Sequence, residues 1–146
     1  MNNQVEFKFR SISENEGFAR MVVASFIAPF DPTIGELTDL KTVVSEAVTN
    51  AIIHGYEGKD DQWVYMNLSM VDNVLSIEIR DEGIGIKDVD EAMQPLYTTK
   101  AEMERSGMGF TIMEHFMDAV EVVSESSQGT TIRMSKHLAS VQAECH

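Results

Sequence analysis

Two runs of strict alternation, Val64-Met66-Leu68-Met70 and Leu75-Ile77-Ile79, flank Asp72-Asn73 and commit this part of the chain to a β-hairpin with one apolar face. Successive strand side chains point to opposite faces, so a period of two buries one face and leaves the other to water. Asx residues between the runs tolerate the positive φ that tight hairpin turns require. The same reasoning makes Val5, Phe7 and Phe9 a first strand. It also pairs Val120 to Val123 with Thr130 to Met134 in a second hairpin around Gln128-Gly129.

Elsewhere the period changes to that of a helix. Ser13-Glu14-Asn15-Glu16 has the form of a capping box, and Phe18, Met21, Val22, Ser25 and Phe26 behind it share one face until Pro29 and Asp31-Pro32. Thr33-Ile34-Gly35-Glu36 is a second box, opening a longer helix to about His54 or Gly55. Its stripe is Leu37, Leu40, Val44, Ala47, Val48 and Ala51. Gly107 to Met117 reads as a third helix, whereas Asp81 to Ser106 keeps no period and reads as a long functional loop. The order β-α-α-β-β-loop-α-β-β predicts an α+β fold, a two-layer α/β sandwich with a mixed, mainly antiparallel sheet and helices on one face. With 146 residues, 43% of them hydrophobic, a single domain over 1–146 can bury its own core. The tail, Lys136 to His146, reads as helical or disordered.

Composition narrows the function classes. A net charge of −13 repels phosphate backbones, so no direct contact with nucleic acid is expected. Cys145 alone cannot form an internal bridge, which fits a reducing, cytoplasmic setting. Met1 to Arg10 has no apolar run of signal type. Met21 to Phe30 is too short to span a bilayer and is interrupted by Ser25 and Pro29, so no membrane association is expected. Histidines 54, 115, 137 and 146 show no metal-ligand spacing.

Several fragments can carry chemistry. Glu46, Asn50 and His54 are four apart and form one ridge beside the apolar stripe of the long helix. A carboxylate, an amide and an imidazole on one cleft wall suit a base, a magnesium ligand and a phosphate or ribose contact; a solvated helix face gives the same spacing. Asp81-Glu82-Gly83-Ile84-Gly85 follows a strand directly. Its aspartate can accept a hydrogen bond from the exocyclic amine of a flat base, and its glycines let a ligand approach the backbone; a plain turn also fits. Gly107-Met108-Gly109 precedes a helix whose N-terminal N–H groups can seat a polyphosphate. Gly129-Thr130-Thr131 adds a tight turn and two hydroxyls at the last hairpin, where a plain turn also fits. There is no Walker-type run and no protein-kinase His-Arg-Asp loop.

Glu46-x3-Asn50-x3-His54-Gly55, Asp81-x-Gly83-x-Gly85, Gly107-x-Gly109 and Gly129-Thr130 together resemble the N, G1, G2 and G3 boxes of the gyrase, Hsp90, histidine kinase and MutL ATPases, which share a Bergerat-type ATP-binding fold. The phospho-accepting histidine helix of histidine kinases has no counterpart. Thr49 to Tyr56 and Pro95-Leu96-Tyr97-Thr98-Thr99-Lys100 resemble the anti-sigma serine kinases of spore-forming bacteria, and the likeness runs from about Val5 to His137.

The resemblance implies ATP or ADP with Mg²⁺, held by Asn50 as metal ligand, with Glu46 as general base. It implies that Asp81 recognises adenine with Thr130, and that His54, Gly83, Gly85, Gly107, Met108 and Gly109 shape the pocket. Residues 87–106 become an ATP lid carrying Thr98, Thr99, Lys100 and Arg105, the last best placed for the γ-phosphate because it adjoins Gly107. It further implies a homodimeric protein-serine kinase that sequesters a sporulation sigma factor and phosphorylates an anti-anti-sigma antagonist. Arg20 is a candidate partner contact, although on sequence alone an (i, i+4) ion pair with Glu16 is the favoured reading. A nucleotide-gated sigma-binding switch without phosphoryl transfer, or an ATPase using water, are the other readings of the same boxes.

Overall fold

The computed structural model describes residues 2–86, 88, 89, 93 and 110–139. Strand β1 (Asn3–Arg10) leads into helix α1 (Glu14–Ile27) and a short 3-10 turn (Ala28–Phe30); α2 (Ile34–Thr49) continues as a π-helical segment (Asn50–Gly55). Strands β2 (Trp63–Val71) and β3 (Val74–Asp81) follow, then a helix described over 110–116, here α3, and strands β4 (Ala119–Glu125) and β5 (Gly129–His137). The sheet order is β1-β2-β3-β5-β4, and all four pairings are antiparallel. The expected two-layer α+β architecture is therefore present, with an antiparallel sheet throughout the described strands.

The β2–β3 turn has the foreseen form: Asp72 and Asn73 both have positive φ, 51° and 64°. This twist matches that of the strands it joins and fixes the register Val71↔Val74. Val64, Met66, Leu68, Met70, Leu75, Ile77 and Ile79 are consequently all buried, facing Leu40, Val43, Val44, Ala47 and Val48 of α2 in one core. Thr33 and Glu36 form both bonds of the predicted capping box, at 3.0 and 2.9 Å.

Four expectations are corrected. Ser13 is helical at φ −60°, ψ −31° and makes no side-chain cap bond, so the box over 13–16 is not formed; its side chain cannot reach back from an αR backbone. The buried face of α1 is Ala19, Val23, Phe26 and Ile27, while Phe18 and Met21 are exposed, with Phe18 set edge-on to the rings of Phe7 and Phe9. Lys136 and His137 are the end of β5, and Leu138 is buried with its N–H donating to the Asn73 carbonyl at 2.8 Å. Ala139 N–H donates to Glu36, so the start of the tail is strand and docked chain, neither helical nor disordered. Finally, the helix does not stay α to Gly55. From Asn50 its turn widens to the i→i−5 pattern, as in Tyr56 N–H to Ala51 carbonyl at 2.9 Å, so the ridge of residues four apart is not continued in α geometry past Asn50.

A candidate nucleotide site at the end of the central strand

The site is built where β3, the central strand, ends beside the π-helical segment. Asp81 is the last residue of β3 and 5% exposed. Its carboxylate accepts the N–H of Gly83 at 2.9 Å and a further bond from the Thr130 backbone. Burial pushes its pKa up from 3.8 to about 6, against the pull of those two donors and of the Arg80 charge. Burying a carboxylate without a full countercharge is costly, which marks this position as kept for something other than stability.

The chain after Asp81 is held from both sides. Ile84 N–H donates to the Gly55 carbonyl at 2.9 Å, and Glu82 N–H to the Tyr56 hydroxyl at 2.7 Å, which itself donates to the Trp63 carbonyl at 2.5 Å. On the other side Ser127 N–H donates to the Ile84 carbonyl, and Ile86 N–H to the Ser124 hydroxyl, both at 2.6 Å. The loop is thus strapped between the long helix and the β4–β5 turn.

These straps surround a cleft of about 80 Å³ lined by Asn50, His54, Gly55, Asp81, Gly85, Ile86, Phe110, Thr130 and Ile132. One buried carboxylate, a hydroxyl and an amide face three apolar walls, Ile86, Phe110 and Ile132. That combination suits the edge and faces of a flat, nitrogen-rich ring better than it suits a sugar or a peptide. A larger hollow lies on the open sheet face among Asn67, Glu78, Glu121 and Arg133, but these charged groups are already paired: Arg133 bonds Glu78 at 2.9 Å and Glu121 at 3.2 Å.

Of the residues expected in the site, Asn50, His54, Asp81, Gly85 and Thr130 line this cleft together. Gly83 stands beside it, bound to the Asp81 carboxylate. Glu46 lies outside the lining, half-buried on the last turn of α2, one turn from Asn50 on the side away from Gly55. Thr98, Thr99, Lys100, Arg105, Gly107, Met108 and Gly109 fall outside the described residues, as does most of the expected lid over 87–106. Arg20 is remote on α1 and pairs with Glu16 at 3.1 Å. Ile86, Phe110 and Ile132 were not expected; Ile132 follows Thr130 by two on β5, and alternation alone puts both on one face.

Comparison with known proteins agrees with this geometry. Residues 11–136 match the model of the histidine kinase-like ATPase domain. The anti-sigma F factors of Bacillus velezensis and Bacillus subtilis are 60% and 58% identical to the chain over 146 residues, covering 100% of both sequences in each case. The chain belongs to the anti-sigma F factor family. The fold is also that of more distant structures. The RsbU and RsbW domains of a Mycobacterium tuberculosis protein align with a TM-score of 0.64 at 14% identity, over 93% of this chain and 32% of that one. A histidine kinase domain from Erythrobacter litoralis aligns with a TM-score of 0.56 at 15% identity, over 86% of this chain and 60% of that one.

In this anti-sigma F family member the glycine of the Asp-x-Gly motif is required by space. A Cβ on Gly83 would overlap the Gly55 carbonyl and press on the Asp81 carboxylate; a Cβ on Gly55 would stand 2.7 Å from that same carboxylate. Neither obstacle moves cheaply, because the Gly55 carbonyl is tied to Ile84 N–H and the buried Asp81 carboxylate to Gly83 N–H. Gly83→Ala is expected to cost about 3 kcal/mol and to lower the melting temperature by roughly 10 °C, measured by chemical and thermal denaturation of the nucleotide-free chain.

Proposed function

We propose that this chain is an anti-sigma factor that holds a sporulation sigma factor and, with ATP and Mg²⁺, phosphorylates a serine of an anti-anti-sigma antagonist. The observation that carries the reading is end-to-end identity of 58–60% to anti-sigma F factors, joined to a cleft whose floor is a buried acceptor. No helix among the described residues is long and apolar enough to cross a membrane. A cytoplasmic homodimer is part of the same proposal.

The residues present fit the nucleotide. Asp81 accepts the exocyclic amine of adenine, Thr130 adds a polar contact beside it, and Ile86, Phe110 and Ile132 cover the ring faces. Asn50 offers an amide oxygen, the hard ligand that Mg²⁺ takes along with phosphate oxygens. When bound, the metal neutralises phosphate charge. Glu46, one helical turn or about 6 Å further along the axis, accepts the proton of the attacking serine hydroxyl. A new Ser O–P bond then forms as the bond from the γ-phosphorus to the bridging oxygen breaks, and ADP leaves with that electron pair. Lys100 and Arg105 supply cationic contacts from the lid. Arg20 is held by Glu16 in a surface pair of small worth, so an acidic partner can take it over.

Incubation with γ-labelled ATP, Mg²⁺ and the antagonist tests this. Label on an antagonist serine, with little release as free phosphate, is expected. Nucleotide-dependent sigma binding with no label on the antagonist favours the gated switch instead, and label found mainly as free phosphate favours the ATPase reading.

A further inference from the structure

We propose that Ser124 sets the base preference of the cleft by fixing the hydroxyl proton of Thr130. This rests on the nucleotide reading above and deepens it. Ser124 faces Thr130 across β4 and β5, and Thr130 faces Asp81 across β5 and β3, so the three form one row across the sheet. The Ser124 hydroxyl meets three partners: Ile86 N–H at 2.6 Å, the Gly129 carbonyl at 3.0 Å and the Thr130 hydroxyl at 2.8 Å.

A hydroxyl has one proton to give and two lone pairs with which to accept. Ile86 N–H can only donate, and the Gly129 carbonyl can only accept. The Ser124 proton therefore goes to Gly129, and one lone pair of Ser124 is taken by Ile86. The bond between the two hydroxyls is left with a single arrangement, in which Thr130 donates and Ser124 accepts. Thr130 then has only lone pairs left for the cleft. Asp81, when ionised, has nothing else either. The row at the cleft floor is thus a pair of acceptors with no side-chain donor.

That floor suits a 6-aminopurine, whose exocyclic nitrogen brings two N–H donors. A 6-oxopurine brings an acceptor oxygen to the same place and leaves buried acceptors opposed and unpaired, which is the costly kind of mismatch. Without the Ser124 hydroxyl, the Thr130 proton loses its fixed acceptor and can swing into the cleft to meet an oxo group. Ser124 touches no ligand in this scheme. It is a positioning residue, acting through Thr130.

The test is calorimetric titration of ADP and IDP, which differ at the 6-position, into the full chain and its variants, with thermal melting to confirm folding. The unmodified chain is expected to favour ADP strongly. Ser124→Ala should narrow the ADP-to-IDP ratio by about tenfold or more, and Ser124→Thr, which keeps the hydroxyl, should retain it. Ser124→Cys is close in volume and a poor acceptor, and should narrow the ratio even if the alanine variant fails to fold. In a Thr130→Val background the loss of Ser124 should change the ratio no further. Equal weakening of both nucleotides, with the ratio intact in the Ala and Cys variants, overturns the inference and leaves the nucleotide site standing. Failure of the unmodified chain to bind ADP at all overturns the site and the inference together.

Discussion

Asp81→Asn raises the stability of the nucleotide-free chain at neutral pH and cuts its affinity for ADP by about 10- to 100-fold, the worth of a hydrogen bond to a charged acceptor. Both effects follow from one carboxylate, 5% exposed, whose pKa burial lifts from 3.8 to about 6. A folded-state pKa above the unfolded value means that the folded chain binds the proton more tightly. The stability this group lends is therefore fully present below about pH 4 and is lost as pH rises through about 6. At pH 7 the ionised form costs the apo fold at most about 3 kcal/mol. Asparagine carries no charge to desolvate and its amide oxygen can still accept from Gly83, but its NH₂ is buried in turn. A net gain of about 1–2 kcal/mol is expected, or roughly 3–6 °C in melting temperature, vanishing towards pH 4. Titration calorimetry of ADP and thermal melts from pH 4 to 8 measure both arms. Adenine binding favours the carboxylate, so near pH 6 ADP should release a proton, seen as a buffer-dependent heat that Asp81→Asn abolishes.

Glu46→Ala is expected to slow phosphoryl transfer to the antagonist serine by about 10²- to 10⁴-fold, the usual worth of a positioned general base. ADP affinity should change little. The separation of the two effects is readable in the structure, because Glu46 lies outside the residues that line the cleft while Asn50, one turn on, is among them. Asp81 and Glu46 are thus expected to fail differently, one in binding and one in transfer. Single-turnover transfer from labelled ATP at saturating nucleotide makes the distinction. An unchanged transfer rate in Glu46→Ala removes the residue from the chemistry and assigns the proton to another acceptor.

What could be read from the residues is what local geometry decides. Alternation over 64–79 with Asx residues at its turn, and Thr33 three residues before Glu36, each specify a structure within a few residues, and the hairpin and capping box form as expected. Ser13-Glu16 has the same pattern as Thr33-Glu36 but does not cap, because the backbone at Ser13 is already helical. The exposed Phe18 shows a similar limit: the period of α1 is helical, yet packing on α2 selects Ala19 and Val23 for the interior. The π-helical turn at Asn50 leaves no mark on composition, and it brings Gly55 against Asp81 from a spacing read as plain α-helix. Gly55, Tyr56 and Ser124 escape a linear reading because their roles exist only across strands and loops. Ser124 comes closest to being legible, since pairing Glu125 with Gly129 around the second turn puts it opposite Thr130.

A crystal structure of the chain with Mg²⁺ and a non-hydrolysable ATP analogue examines the site most directly. The exocyclic amine of the base should lie within about 3 Å of the Asp81 carboxylate, with the Asn50 amide oxygen at about 2.1 Å from the metal. A base seated away from β3, or an Asn50 side chain turned from the ion, would contradict the nucleotide reading at its root.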